Sequence, residues 1–272
     1  MVRRPDAAFA SADPQVWHYA GRPDLPTARR EHEAFVRLLT DAGAEVIYHD
    51  DPLDGLADAI YVHDPVLVTA RGAILLRMGK SLRRGEEAAI GRRLEAIGVP
   101  TLGRLEHPAF AEAGDCLWLD PTTLVVGVGF RTNREGVDQL RGTLGPGIDV
   151  VPVELPYFHG PDACLHLMSI ISLVDRAMAV VYPPLMPVTL WQMLRARGME
   201  LIEVPEAEFA TMGANVLALQ PGDCVMLEGN PITRGRLEAA SCQVRTYRGN
   251  EISLKAEGGP TCLTRPVWRA AW

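Results

Sequence analysis

"VVGVGFRTNREGVDQLRGTLGPGIDVVPV", running from Val125 to Val153, holds three kinds of structure in one short stretch. An apolar, β-branched strand opens it, and a glycine-containing loop with Arg131 and Thr132 follows. An amphipathic helix of about three turns comes next. Val150-Val151-Pro152-Val153 then reads as a second, short strand.

The same order recurs at intervals of about 50 residues, the mark of a repeat architecture. "GRPDLPTARREHEAFVRLLTDAGAEVIYHD" starts at Gly21 and "LLRMGKSLRRGEEAAIGRRLEAIGVPTL" at Leu75. "AVVYPPLMPVTLWQMLRARGMELIEVP" starts at Ala179 and "VMLEGNPITRGRLEAASCQVRTY" at Val225. In the first copy, whose opening strand is the weakest, Phe35, Leu38 and Leu39 share a helix face and Gly43 is placed to cap its end. In the next, Ala88, Ile90 and Leu94 mix with charges and Gly98 closes the helix. A free-ended array needs dissimilar capping repeats, so five similar units favour a closed ring. The expected fold is α/β, a pseudo-fivefold β/α propeller of strand-helix-strand units around a central site, with residues 1–272 forming a single domain.

The segments leading into the next strand read "YVHDPVLV", "EAGDCLWL", "CLHLMSII", "GANVLAL" and "GGPTCLT". One phase of the repeat thus carries Asp64, Glu112 to Asp115, His166, Asn215 and Cys262. Equivalent positions of a ring lie equally far from its axis. Acid, histidine, amide and thiol are therefore expected to converge on one cavity.

Composition removes several classes. A net charge of -7 is wrong for a general nucleic-acid binder, and no stretch approaches the apolar length of a membrane span, so neither partner is expected and the protein reads as cytoplasmic. Five cysteines without CxxC pairs give neither a disulfide framework nor a structural zinc site. Cys116, Cys224 and Cys242 read as buried small hydrophobes, and Cys164 stands close to a histidine. "GKS" at Gly79 to Ser81 lacks the phosphate-loop glycine, since Ile74 stands there, and Thr132 interrupts the dinucleotide fingerprint approached by "GVGFRTN".

The motif set resembles the guanidine-modifying enzymes called penteins, and in particular their dimethylarginine dimethylaminohydrolase branch, across nearly the whole chain. It comprises "YVHDP" with Asp64, "RMGKSLRRGE" with Arg83, "EAGD" with Glu112, "RTNREG" with Arg131, "LHL" with His166 and "GGPTC" with Cys262. The resemblance implies a cofactor-independent, metal-free hydrolase of a guanidino compound, arginine or an Nω-methylated arginine. Cys262 would be the nucleophile and His166 the general acid and base. Glu112 and Asp64 would be carboxylates around the guanidinium. Arg83 and Arg131 would hold a substrate carboxylate, and Asp58 would contact the amino-acid end. Residues 10–26 match a loop that is mobile in some family members. The sequence departs from the branch at His63, where glutamate is common, at Lys80 in "RMGK", where "RPGA" is usual, and at Met168 after "HL". His63 reads as a site or a rim residue, and Asn215 as a site group or a satisfier of backbone. Asp115 reads as binding amides of its own turn. Amidino transfer by the same cysteine and histidine is the alternative chemistry, and a non-catalytic propeller the alternative class. The oligomeric state stays open, a homodimer among its readings.

Overall fold

The computed structural model describes residues 1–269. Among the described residues, four three-stranded sheets repeat one topology. They are built from β1 (Val66–Thr69), β2 (Gly72–Leu75) and β3 (Thr101–Arg104); β4 (Cys116–Asp120), β5 (Thr123–Val128) and β6 (Asp149–Glu154); β7 (Ile171–Asp175), β8 (Met178–Val181) and β9 (Glu200–Glu203); and β10 (Leu217–Gln220), β11 (Asp223–Leu227) and β12 (Gln243–Tyr247). In each, the first pair is antiparallel through a tight turn and the second is parallel. A parallel pair needs a crossover, and a helix supplies it. Among the described residues the α-helices are α1 (Ala7–Ala10), α2 (Pro14–Trp17), α3 (Leu25–Asp41), α4 (Glu86–Ala96), α5 (Arg134–Leu144), α6 (Val188–Ala196), α7 (Glu206–Phe209) and α8 (Pro231–Ala239). Of these, α4, α5, α6 and α8 are the crossovers.

The fifth unit is assembled from residues far apart in the chain. The amide of Arg265 donates to Met1 O at 2.9 Å, and the Met1 amino group donates to Arg265 O at 2.8 Å. Val2 then pairs in parallel with Tyr48, through Val2 N to Ile47 O and His49 N to Val2 O. An antiparallel contact followed by a parallel one, with α3 as crossover, repeats the pattern of the other sheets and closes the ring. The weak opening strand of the first copy is thus found upstream, at Val2, and is a single bridge.

Local chemistry sets the elements. Asp24 caps α3 by accepting from Thr27 N at 3.0 Å, and Ala28, Phe35, Val36 and Leu39 bury one face of it against Tyr247, whose ring lies 4.7 Å from that of Phe35. Gly43 and Gly98 follow α3 and α4 with φ of 89° and 86°, a left-handed conformation that glycine adopts without cost. On α4 the buried alanine is Ala89, and Ala88 faces solvent, because the helix turns its packed stripe toward β2. Among the described residues no helix is long and apolar enough to cross a membrane, and all five cysteines are free.

Candidate active site

The segments that lead into the innermost strands meet at the ring centre. Glu112 is fully buried in extended backbone ahead of a 3₁₀ turn, Ala113–Asp115. Its Oε2 accepts from His166 Nε2 at 2.7 Å and from Arg131 Nη1 at 3.4 Å, and its Oε1 accepts from the Lys80 amide at 2.8 Å. Asp64, two residues before β1, accepts from Gly114 N at 3.1 Å on Oδ1 and from Arg83 Nη1 at 2.6 Å on Oδ2. Asp64, Glu112 and His166 bring ligand-type atoms within 4.8 Å of one another. Cys262 lies beside them, partly buried, with Asn215 Nδ2 3.6 Å from its sulfur.

A further layer holds these groups. Asp115 accepts from the amide of Leu167, next to His166, at 2.9 Å and from Thr132 Oγ1 at 2.6 Å, while Thr132 Oγ1 accepts from the Glu112 amide at 3.2 Å. Asp115 thus binds the neighbouring unit rather than amides of its own turn. Asn215 Oδ1 accepts from Thr261 N and Oγ1 at 3.1 and 2.9 Å, so this amide serves both the backbone and the thiol. The glycine pair before Cys262 is required by close packing: a Cβ at Gly258 would run into the Tyr61 ring, and one at Gly259 into Asn215.

Charge is arranged unevenly. Burial pushes the Cys262 thiol up to about 11, Asp64 adds to this, and His166 opposes it. Burial alone would lower His166, but the Cys164 sulfur, 3.7 Å from Nδ1, and the carboxylates of Asp64 and Glu112 hold it protonated well above the histidine range. Burial would raise Glu112 and Asp64, yet His166 holds Glu112 well below the carboxylate range, and Arg83 lowers Asp64. The resting centre is therefore a neutral thiol beside an imidazolium and two carboxylates. A metal dication fits poorly, because Glu112 is already bonded to His166 and the guanidiniums of Arg83 and Arg131 stand against Asp64 and Glu112. A planar organic cation matches two carboxylates through paired hydrogen bonds.

Other expected residues lie close by with different loads. Arg83 is buried, and its fork is spent on Glu86 at 2.8–3.2 Å, Asp64 at 2.6 Å and Tyr61 O at 2.9 Å. This partner set differs from the substrate carboxylate expected for it. Its neighbour Arg84 faces solvent. Asp58 accepts from Tyr19 Oη and Lys80 Nζ, each at 2.6 Å. Arg131 makes its one hydrogen bond among the described residues to Glu112. His63 is buried, away from any rim, with Nδ1 3.0 Å from Thr264 O, and burial with Arg265 pushes it down to about 3. Residues 10–26 are tied to the rest of the fold through Lys80 Nζ to Trp17 O at 3.1 Å and Ala20 N to Lys255 O at 2.7 Å. Trp17 and Tyr19 entered the sequence reading only within residues 10–26, and Thr132 only within "RTNREG", none with a role of its own. Lys80 stood out as a departure from the family motif.

Residues 24–231 match the family profile described as N,N dimethylarginine dimethylhydrolase, eukaryotic. The chain belongs to this family. Similar relatives include the uncharacterized protein YkgA of Bacillus subtilis, 30% identical over 246 residues, which are 90% of this chain and 82% of that protein. The N(G),N(G)-dimethylarginine dimethylaminohydrolase of Pseudomonas aeruginosa is 27% identical over 247 residues, 90% of this chain and 91% of that one. Among solved structures, the family enzyme of Pseudomonas aeruginosa in complex with citrulline superposes with a TM-score of 0.79 at 25% identity, covering 96% of each chain. The propeller of strand-helix-strand units is thus the fold of this family.

Proposed function

We propose that the protein hydrolyses a carbon-nitrogen bond of a guanidino compound through a covalent intermediate on Cys262. The observation that carries this reading is the 2.7 Å pairing of His166 Nε2 with buried Glu112, with Asp64 and Cys262 close by. Family membership and the resemblance to a citrulline-bound relative support it.

The guanidinium carbon is a poor electrophile because its charge is spread over three nitrogens. Asp64 and Glu112 would hold the cation and localise that charge. A bound cation also favours the thiolate of Cys262, whose proton passes to solvent as the cation binds. The thiolate forms the C–S bond, the C–N bond to the leaving group breaks, and His166 gives its proton to the departing nitrogen. Water then adds to the thiouronium carbon while His166, now neutral, takes a proton. The C–S bond breaks and the added hydroxyl loses its remaining proton to solvent, restoring the thiolate and leaving a ureido group. From arginine or an Nω-methylated arginine the products would be citrulline with ammonia or a methylamine. Arg131 is the cation with donors still open toward a substrate carboxylate.

In this reading residues 1–272 act as one catalytic unit. It is placed in the cytoplasm, where five free thiols persist. The test is incubation with arginine, its methylated forms and guanidino acids, with ureido product and released amine measured. Ureido product is expected from the intact protein, and a loss of at least about 10³-fold with Cys262→Ser. Turnover unchanged by Cys262→Ser overturns the reading.

A further inference from the structure

We propose that the substrate is a guanidino acid with no ammonium group at its far end, and that Lys80 of the chain itself fills the place such an ammonium would take. The inference rests on the guanidino-hydrolase reading above and narrows it. Asp58 is the carboxylate expected at the amino-acid end, and both its oxygens are occupied, Oδ1 by Tyr19 Oη and Oδ2 by Lys80 Nζ, each at 2.6 Å. The Lys80 ammonium also donates to Trp17 O at 3.1 Å and lies 4.9 Å from the centre of the Trp17 ring. One cation thus already has a carboxylate, a carbonyl and an aromatic face, an arrangement that recognises an ammonium ion.

A substrate that brought a second ammonium would have to displace Lys80 or face it as a like charge. A carboxylate meets no such obstacle. Arg131 has one hydrogen bond among the described residues, the long one to Glu112, so its other donors are open. Lys80 and Arg131 both act on Glu257 near this end, so two fixed cations stand there. Glu257 is the competing carboxylate, exposed and without a hydrogen bond among the described residues, and it is the group through which an ammonium could still be held.

The test is a pair of ligands that differ only in the amino group, arginine and 5-guanidinopentanoate. Binding to the Cys262→Ser protein is read by calorimetry, which needs no turnover. Tighter binding of 5-guanidinopentanoate by about tenfold or more is expected, the scale of one charged hydrogen-bond set lost. In a Cys262→Ser/Lys80→Met protein, Asp58 and Trp17 O are released and the preference should shift toward arginine by a similar factor. Equal or tighter binding of arginine with Lys80 intact overturns the proposal, as does failure of both ligands to bind. The first comparison stands even if the double variant does not fold. Ureido formation by the unaltered enzyme tests the reaction separately, so arginine preference with ureido product sinks only the head-group inference.

Discussion

Gly114 has no side chain because His166 and Asp64 occupy the space one would need. A Cβ there would sit 2.5 Å from His166 Nδ1 and 3.0 Å from Asp64 Oδ1. Gly114→Ala is therefore expected to move the imidazole, lowering kcat by about 100-fold, the loss typical of misplacing a catalytic group by about 1 Å. Overpacking should cost about 1–3 kcal/mol of stability as well. Steady-state kinetics beside urea unfolding separate the two, and an unchanged kcat would mean that catalysis does not use His166 where it stands. At this scale the family resemblance pointed to Glu112 of "EAGD" as the site acid, and Asp115 read as binding amides of its own turn. Glu112 faces His166, whereas Asp115 holds the Leu167 amide. An aspartate that caps its own turn and one that caps a neighbouring unit have the same local signature, so only packing could tell them apart.

Helices were legible from periodicity, because an apolar stripe and a terminal glycine are local properties. Their lengths were less so: α3 runs for 17 residues, beyond the expected three turns, since its buried face continues onto the segment around residue 250. Glu31 on α3 is buried and accepts from the amides of Asn250, Glu251 and Ile252 at 3.1, 2.8 and 3.2 Å. The single turn it secures leads directly to Gly258 and Cys262. Glu31→Ala leaves these amides without their charged acceptor, and a loss of about 2–4 kcal/mol is expected in urea unfolding. A loss below about 0.5 kcal/mol would mean that water replaces the carboxylate without penalty.

The closed ring buries groups that an open array would leave wet. His49 follows the closing bridge, and both its ring nitrogens are buried without partners. Burial, then Arg3, pushes it down to about 4 from the ordinary 6.5. Between those values the unfolded chain binds a proton that the folded protein does not, so stability is lost as pH falls through this window, by up to ~1.4 kcal/mol per unit from this group. His49→Phe removes that proton and the unpaired nitrogens. The variant's stability advantage should therefore widen by about 1.6 kcal/mol between pH 6.5 and pH 5, as measured by urea titration at both values. A constant difference would place a bonded partner on the imidazole. The sequence by itself determined the order of the units and the phase at which Asp64, Glu112, His166, Asn215 and Cys262 recur, because periodicity and chain order are written locally. Tertiary structure alone decided that Met1 and Val2 complete the first unit, that Arg83 turns to Asp64 and Glu86, and that Lys80 takes the second oxygen of Asp58. Those pairings follow from which side chains the closed ring brings within hydrogen-bond reach, and no local pattern of residues encodes that distance.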